Sequence, residues 1–184
     1  MKGKSLDFLK QLVETPSPSG FEQPAQRLFR QYVAPFAEAV ETDVLGNVIA
    51  VRNPGGSPRV MLAGHSDQIG LIVTHIDDDG FIYFRRIGGL DPAACISQRV
   101  VIQGRSGPVS GVVGRKAIHL QDSSDRTKAP KLEDLWVDIG ARDRKDAEER
   151  VRVGDPGVFV QPFEVLAKSE ERRVGKECEV PCRS

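Results

Sequence analysis

The sequence is poor in cysteine, and the little it has makes no disulfide framework: Cys95 stands alone, while Cys178 and Cys182 fall close together near the end. No apolar run approaches the roughly 20 residues that a membrane helix needs. The start, "MKGKSLDFLKQLVE", is too charged and too amphipathic for a signal peptide. A cytoplasmic protein with no membrane partner is therefore expected. Neither sign of charge is in excess: Lys plus Arg number 26 and Asp plus Glu number 26, so no global field draws the chain towards nucleic acid. Partners have to be sought in local sites. No internal repeat is present, which excludes a solenoid. Gly-rich pieces such as "IGG" and "GRSG" precede no expected helix, so no phosphate loop and no organic cofactor site is read.

What is present is a globular composition, 184 residues of which 39% are hydrophobic, enough for one medium domain or two small ones. Leu6, Leu9, Leu12 and Val13 recur at helical spacing, with Ser5 as the expected N-cap and Asp7 in the first turn. "TPSPSG" then breaks the helix. Ser19 and Glu22 have capping-box spacing ahead of a second helix with Ala25, Leu28, Phe29 and Tyr32 on one face, and Pro24 fits only its first turn. From Val40 the period changes. "VETDV", "GNVIAVR", "RVMLAGH" and "IGLIVTHI" are short, β-branched and separated by turn formers, and "DDDG" joins "LIVTHI" to "FIYFRRI" as a hairpin. Further strands follow in "RVVIQG", "GPVSGVVG", "LWVDIGA" and "GVFVQPFEV", with one short helix in "DRKDAEERV" whose charges read as a solvated face. Such a run predicts a small barrel or sandwich. Residues 166–184 are charged and aperiodic and are expected to be a disordered tail.

One pair of residues interrupts the apolar pattern. In "MLAGHSDQIGLIV", His65 and Asp67 sit two apart, and on a strand positions i and i+2 share a face. A histidine can ligate zinc, manganese or cobalt through one nitrogen while a carboxylate fixes its ring through the other. The same pair also reads as a hydrogen-bonded His/Asp at a strand end with no metal. The other candidates are weaker. Asp77, Asp78 and Asp79 lack EF-hand spacing and read as a turn; His75 and His119 read as structural; Cys178 and Cys182 have no second pair to complete a metal clip.

The run "GHSDQIGLIVTHIDDDGFIYFRRIGGLDP", with "QRVVIQG", "GVVGRKAIHL" and "KAPKLEDLWVDIGARDRKDAEERVRVGDP", resembles the glutamyl, deblocking and tetrahedral aminopeptidase family of metallopeptidases, some members of which are labelled endoglucanases. "TPSPSGFE" and "DVLGNVIA" resemble the same family, so the likeness runs over roughly residues 5 to 165. It implies an α/β metallopeptidase fold interrupted by an inserted PDZ-like β-barrel used for dimerisation. On that pattern residues 1–72 would be the N-terminal part of the catalytic domain, 73–165 the barrel and 166–184 the tail. It also implies two divalent ions per site, zinc or cobalt, peptide substrates, and homo-oligomers formed through the barrel. His65 matches the first metal ligand and Asp67 the catalytic carboxylate that orients it. Ser66 and Gln68 stand where many members have methionine and glutamate. The family's bridging aspartate, its Glu-Glu pair, a further acidic ligand and a last histidine find no match after residue 165.

Three functions therefore stand at this point. The first is a metal-dependent aminopeptidase, by family. The second is a truncated, inactive fragment that keeps only the assembly domain. The third, endoglucanase-type hydrolysis, rests on family labels, with no carboxylate pair to place at glycosidase spacing.

Overall fold

The computed structural model describes residues 3–122, 128–165 and 173–174. The chain divides into two compact units, Met1–Gln68 with Gln161–Ser184, and Ile69–Val160.

The first unit opens with α1 (Lys4–Glu14) and α2 (Gln23–Val33). Phe8 of α1 stacks on Tyr32 of α2, ring centroids 3.7 Å apart and nearly parallel. Ser5 is not the N-cap of α1. The cap is Gly3, whose carbonyl accepts from the amides of Leu6 and Asp7, and Ser5 lies inside the first turn with its hydroxyl 3.4 Å from that of Tyr32. Pro24 does sit in the first turn of α2, where its missing N–H costs nothing. The Ser19–Glu22 capping box does not form. Glu22 is itself the N-cap residue, and the serine that serves the helix start is Ser17, accepting from the Ala25 amide at 3.0 Å.

A 3₁₀ turn, Ala34–Phe36, leads to an antiparallel hairpin of β1 (Ala39–Thr42) and β2 (Val48–Val51). Its turn is held by the Asp43 carboxylate, which accepts from the Leu45 and Asn47 amides, and by Gly46 at φ +90°. "RVMLAGH" was expected to be a strand and is not one. Residues 59–67 form no ladder, and Val60, Met61 and Leu62 are 78%, 87% and 94% exposed. The segment has a strand's composition, but among the described residues no strand pairs with it to take its backbone hydrogen bonds. Also in this unit, the Phe163 amide donates to Glu14, and β9 (Glu164–Val165) pairs antiparallel with β10 (Arg173–Val174). The rest of the expected tail lies outside the described residues.

In the second unit β3 (Gly70–Ile76), β4 (Ile82–Ile87), β5 (Arg99–Gly104), β6 (Gly107–Arg115), β7 (Leu135–Asp138) and β8 (Pro156–Phe159) close into a barrel in the order β3-β4-β7-β6-β5-β8. Every pairing is antiparallel, as between Val113 and Val137 or Val101 and Val158. Closure gives every barrel strand a paired neighbour on both sides. The period-2 alternation turns Leu71, Val73, Val100, Ile102, Val113 and Val137 inward, each 1% exposed or less. Burial of each such side chain is worth about 1.5–3 kcal/mol relative to exposure. The Asp-rich hairpin turn forms as expected: the Phe81 amide donates to the Asp77 carboxylate at 2.8 Å, and Gly80 takes φ +84°. Gly111 is where strands approach closely, since a Cβ there would meet Val137 at 2.5 Å.

Two short helices complete this unit. α3 (Pro92–Cys95) follows "IGG", which was expected to precede no helix, and its Ala93 amide is already taken by the Asp91 carboxylate. α4 (Arg144–Arg150) is the expected helix, capped by Asp143. Its charges are not all solvated. Asp146 is 8% exposed, accepting from the Arg142 amide at 3.0 Å and through both oxygens from Arg150 at 2.9 Å. Those donors, the Arg142 amide first, hold its carboxyl below the ordinary carboxylate value.

Candidate metal centre

His65 and Asp67 do meet, although the segment that carries them is not a strand. His65 Nδ1 lies 2.9 Å from Asp67 Oδ1 and 3.2 Å from the Asp67 carbonyl oxygen. Both of these oxygens accept hydrogen bonds, so Nδ1 donates, and in the neutral imidazole this is the Nδ1–H tautomer with the lone pair on Nε2. Nε2 has no hydrogen-bond partner among the described residues, and the His65 side chain is 65% exposed. A neutral histidine so oriented could ligate a cation through Nε2.

The pair is held from below by the turn between the two helices. Asp67 Oδ2 accepts from the Ser19 hydroxyl at 2.5 Å. Gln68 donates its amide to the Ser17 carbonyl at 3.0 Å, and Ser19 donates its amide to the Gln68 carbonyl at 3.2 Å, making a single parallel bridge between Pro18 and Gln68. Between them, Gln26 Nε2 donates to the Ser66 hydroxyl at 2.9 Å. The Ser19 hydroxyl, before the His65 imidazole, keeps the Asp67 carboxyl below its ordinary value, against the opposing effect of partial burial. Asp67 is thus ionised, an acceptor on both oxygens. Ser17, Ser19 and Gln26 were not singled out as site residues from the sequence. Ser17 stood only in the helix breaker "TPSPSG", Ser19 was read as a helix cap, and Gln26 carried no signal.

The remaining candidates do not join this site. Asp77 is used by its own turn, and Asp78 forms an ion pair with Arg144 at 3.0 Å. His75 lies on β3 near Tyr83, ring centroids 5.9 Å apart, and His119 sits in an exposed 3₁₀ turn, Ile118–Leu120. Cys95 is buried in the barrel. Its thiol donates to the Asp91 carbonyl, and burial raises its pKa, as befits an inert packing thiol. Cys178 and Cys182 lie outside the described residues. No group of three or more His, Cys, Asp or Glu side chains placed to hold a metal occurs among the described residues. His65 fits a metal as one ligand, with Asp67 behind it, and the described residues supply no others.

Several of the proteins this chain resembles are named aminopeptidases, and one solved structure at 28% identity is named an endoglucanase. It is 37% identical over 165 residues to the lysyl aminopeptidase of Pyrococcus furiosus, an alignment covering 88% of this chain and 47% of that protein. Among solved structures, the TET aminopeptidase of a marine-sediment thaumarchaeon superposes with a TM-score of 0.85 at 36% identity, over 89% of this chain and 47% of that one. The TET1 peptidase of Pyrococcus horikoshii, described as able to assemble into a tetrahedron or a large octahedral shell, gives 0.78 at 31% identity over 88% and 48%. The chain spans about half the length of the curated relatives it matches. Residues 46–176 match the M42 glutamyl aminopeptidase family, and the chain belongs to it. The match runs past residue 165, where the likeness read from the sequence stopped.

Proposed function

We propose that this chain is part of a metal-dependent aminopeptidase in which His65 ligates one of two divalent ions, zinc or cobalt, and Asp67 holds that histidine in the ligating tautomer. The observation that carries the reading is the direct His65–Asp67 contact, 2.9 Å at Nδ1, which turns a bare Nε2 outward. When bound, such an ion pair would supply a water of lowered pKa and polarise the scissile carbonyl of an N-terminal peptide bond. The chain's own part is narrower. Asp67 stays ionised and accepts the Nδ1 hydrogen bond of His65, which orients the ring with Nε2 as its ligating nitrogen. Residues 1–72 belong, in this reading, to an α/β catalytic domain.

Residues 73–165 are then the PDZ-like module through which copies assemble. Ile118 and Leu120, 69% and 60% exposed, offer apolar surface for that contact. No helix among the described residues is long and apolar enough to cross a membrane.

A second reading concerns the polypeptide of these 184 residues taken alone. Its described donor set stops at one ligand and contains no carboxylate placed as a general base beside it. We infer that by itself it binds metal weakly and turns over nothing. Titration with zinc and with cobalt, wild type against His65→Ala, tests both readings. Weak binding lost in His65→Ala, with no hydrolysis of aminoacyl chromogenic substrates, is expected. Absence of binding in the wild type would overturn the ligand role of His65. Metal-dependent turnover abolished by His65→Ala would overturn the inactive fragment.

A further inference from the structure

We propose that Ser19 is a positioning residue for this site: its hydroxyl fixes the Asp67 carboxylate and, through it, the imidazole tautomer that leaves His65 Nε2 free to ligate. The inference rests on the reading of His65 as a ligand. It starts from a weakness in the segment itself. Residues 59–67 pair with no strand, so the backbone around His65 and Asp67 lacks the ladder that would aim its side chains. The terminal torsion of an aspartate is broad and nearly two-fold, so one hydrogen bond to an exposed histidine would leave the carboxylate free to rotate. Asp67 instead divides its oxygens, Oδ1 to His65 at 2.9 Å and Oδ2 to Ser19 at 2.5 Å. Two anchors on two oxygens define the carboxylate plane.

Ser19 can act as an anchor because it is itself anchored. Its amide donates to the Gln68 carbonyl, and two residues earlier the Ser17 carbonyl accepts from the Gln68 amide. Ser17 is fully buried and accepts from the Ala25 amide, which ties this turn to the start of α2. Gln26, on the same helix, reaches Ser66. Residues 65 to 68 are therefore set by α2 and the turn before it, in place of a sheet. The Ser19 hydroxyl has to donate here, since an ionised carboxylate only accepts. That direction increases negative charge density at neither oxygen and leaves Oδ1 to accept the Nδ1 proton of His65.

The test uses the whole chain, metal-free, with ¹⁵N-labelled histidine at about pH 8, where an ordinary imidazole is neutral. The ¹⁵N shifts of His65, assigned by loss in His65→Ala, report the ratio of Nδ1–H to Nε2–H forms. Ser19→Thr and Ser19→Val match in bulk and differ in the hydroxyl. The wild type and Ser19→Thr are expected to show mainly the Nδ1–H form, and Ser19→Val a ratio lowered roughly three- to tenfold, the net size of one ordinary intramolecular hydrogen bond. Equal ratios in Ser19→Thr and Ser19→Val would overturn the proposal. Should Ser19→Val disturb the amide resonances of α2, Ser19→Ala takes its place, and a wild-type ratio in it overturns the proposal equally. Cobalt titration of the same samples separates the two claims. A tautomer shift without cobalt binding in the wild type would sustain the role of Ser19 in setting the imidazole and remove the ligand role of His65.

Discussion

Leu62 and Leu71 are nine positions apart in one apolar stretch, yet one is 94% exposed and the other fully buried. The contrast holds for their whole units. Among the described residues, every buried apolar side chain except Ala25 and Pro18 lies in the barrel unit, Ile69–Val160. The barrel closes on itself, so its hydrogen bonds and its core are both internal. The helical unit stacks Phe8 on Tyr32 and pins its His-x-Asp segment with a serine turn, but leaves Val60, Met61 and Leu62 in water. One chain thus carries a closed barrel and a unit in which, among the described residues, an apolar segment stays uncovered. The candidate ligand His65 and its partner Asp67 therefore sit in the unit with the smaller buried core.

Substitutions sharpen the contrast in order of size. Leu71→Ala should cost the barrel about 2–5 kcal/mol in denaturant unfolding, by lost burial and the cavity left behind. Asp146→Asn should act next, and with a pH signature. Because the folded-state pKa of Asp146 is lowered, its contribution is complete above the ordinary carboxylate value of about 3.9 and is lost as pH falls through the lower folded value. Wild-type barrel stability should therefore drop on acidification, and the drop should be shallower in Asp146→Asn, as chemical denaturation at neutral and acid pH would show. Ser17→Ala should cost the helical unit about 1 kcal/mol, the worth of a side chain serving a helix start, visible as faster exchange of the Ala25 amide. Leu62→Ala should change stability by less than about 0.5 kcal/mol, because nothing is buried there. A cost at Leu62 comparable to that at Leu71 would break the comparison.

Legibility in the sequence follows the same division. The barrel strands could be read because alternation and turn chemistry are local: Asp77 and Gly80 specify the β3–β4 hairpin within five residues. "RVMLAGH" misled because apolar composition records suitability for burial, whereas a strand also needs a neighbour. The charged run around Asp146 read as solvated because only the fold shows Arg142 and Arg150, four residues to either side, converging on it. His65 and Asp67 were visible through spacing and family likeness. Ser19 was visible too, but was assigned to the nearest helix, since its actual partner is 48 residues away. Spacing rules reach along one element and miss a hydrogen bond that joins a turn to a distant segment.

Hydrogen exchange on the intact, metal-free chain tests the central claim most directly. Amides of Leu71, Val100, Ile102 and Val137 should exchange only through global opening of the barrel, while those of Val60, Met61 and Leu62 should exchange at nearly the rate of an unfolded chain. Strong and equal protection of both sets in a monomer would contradict the account.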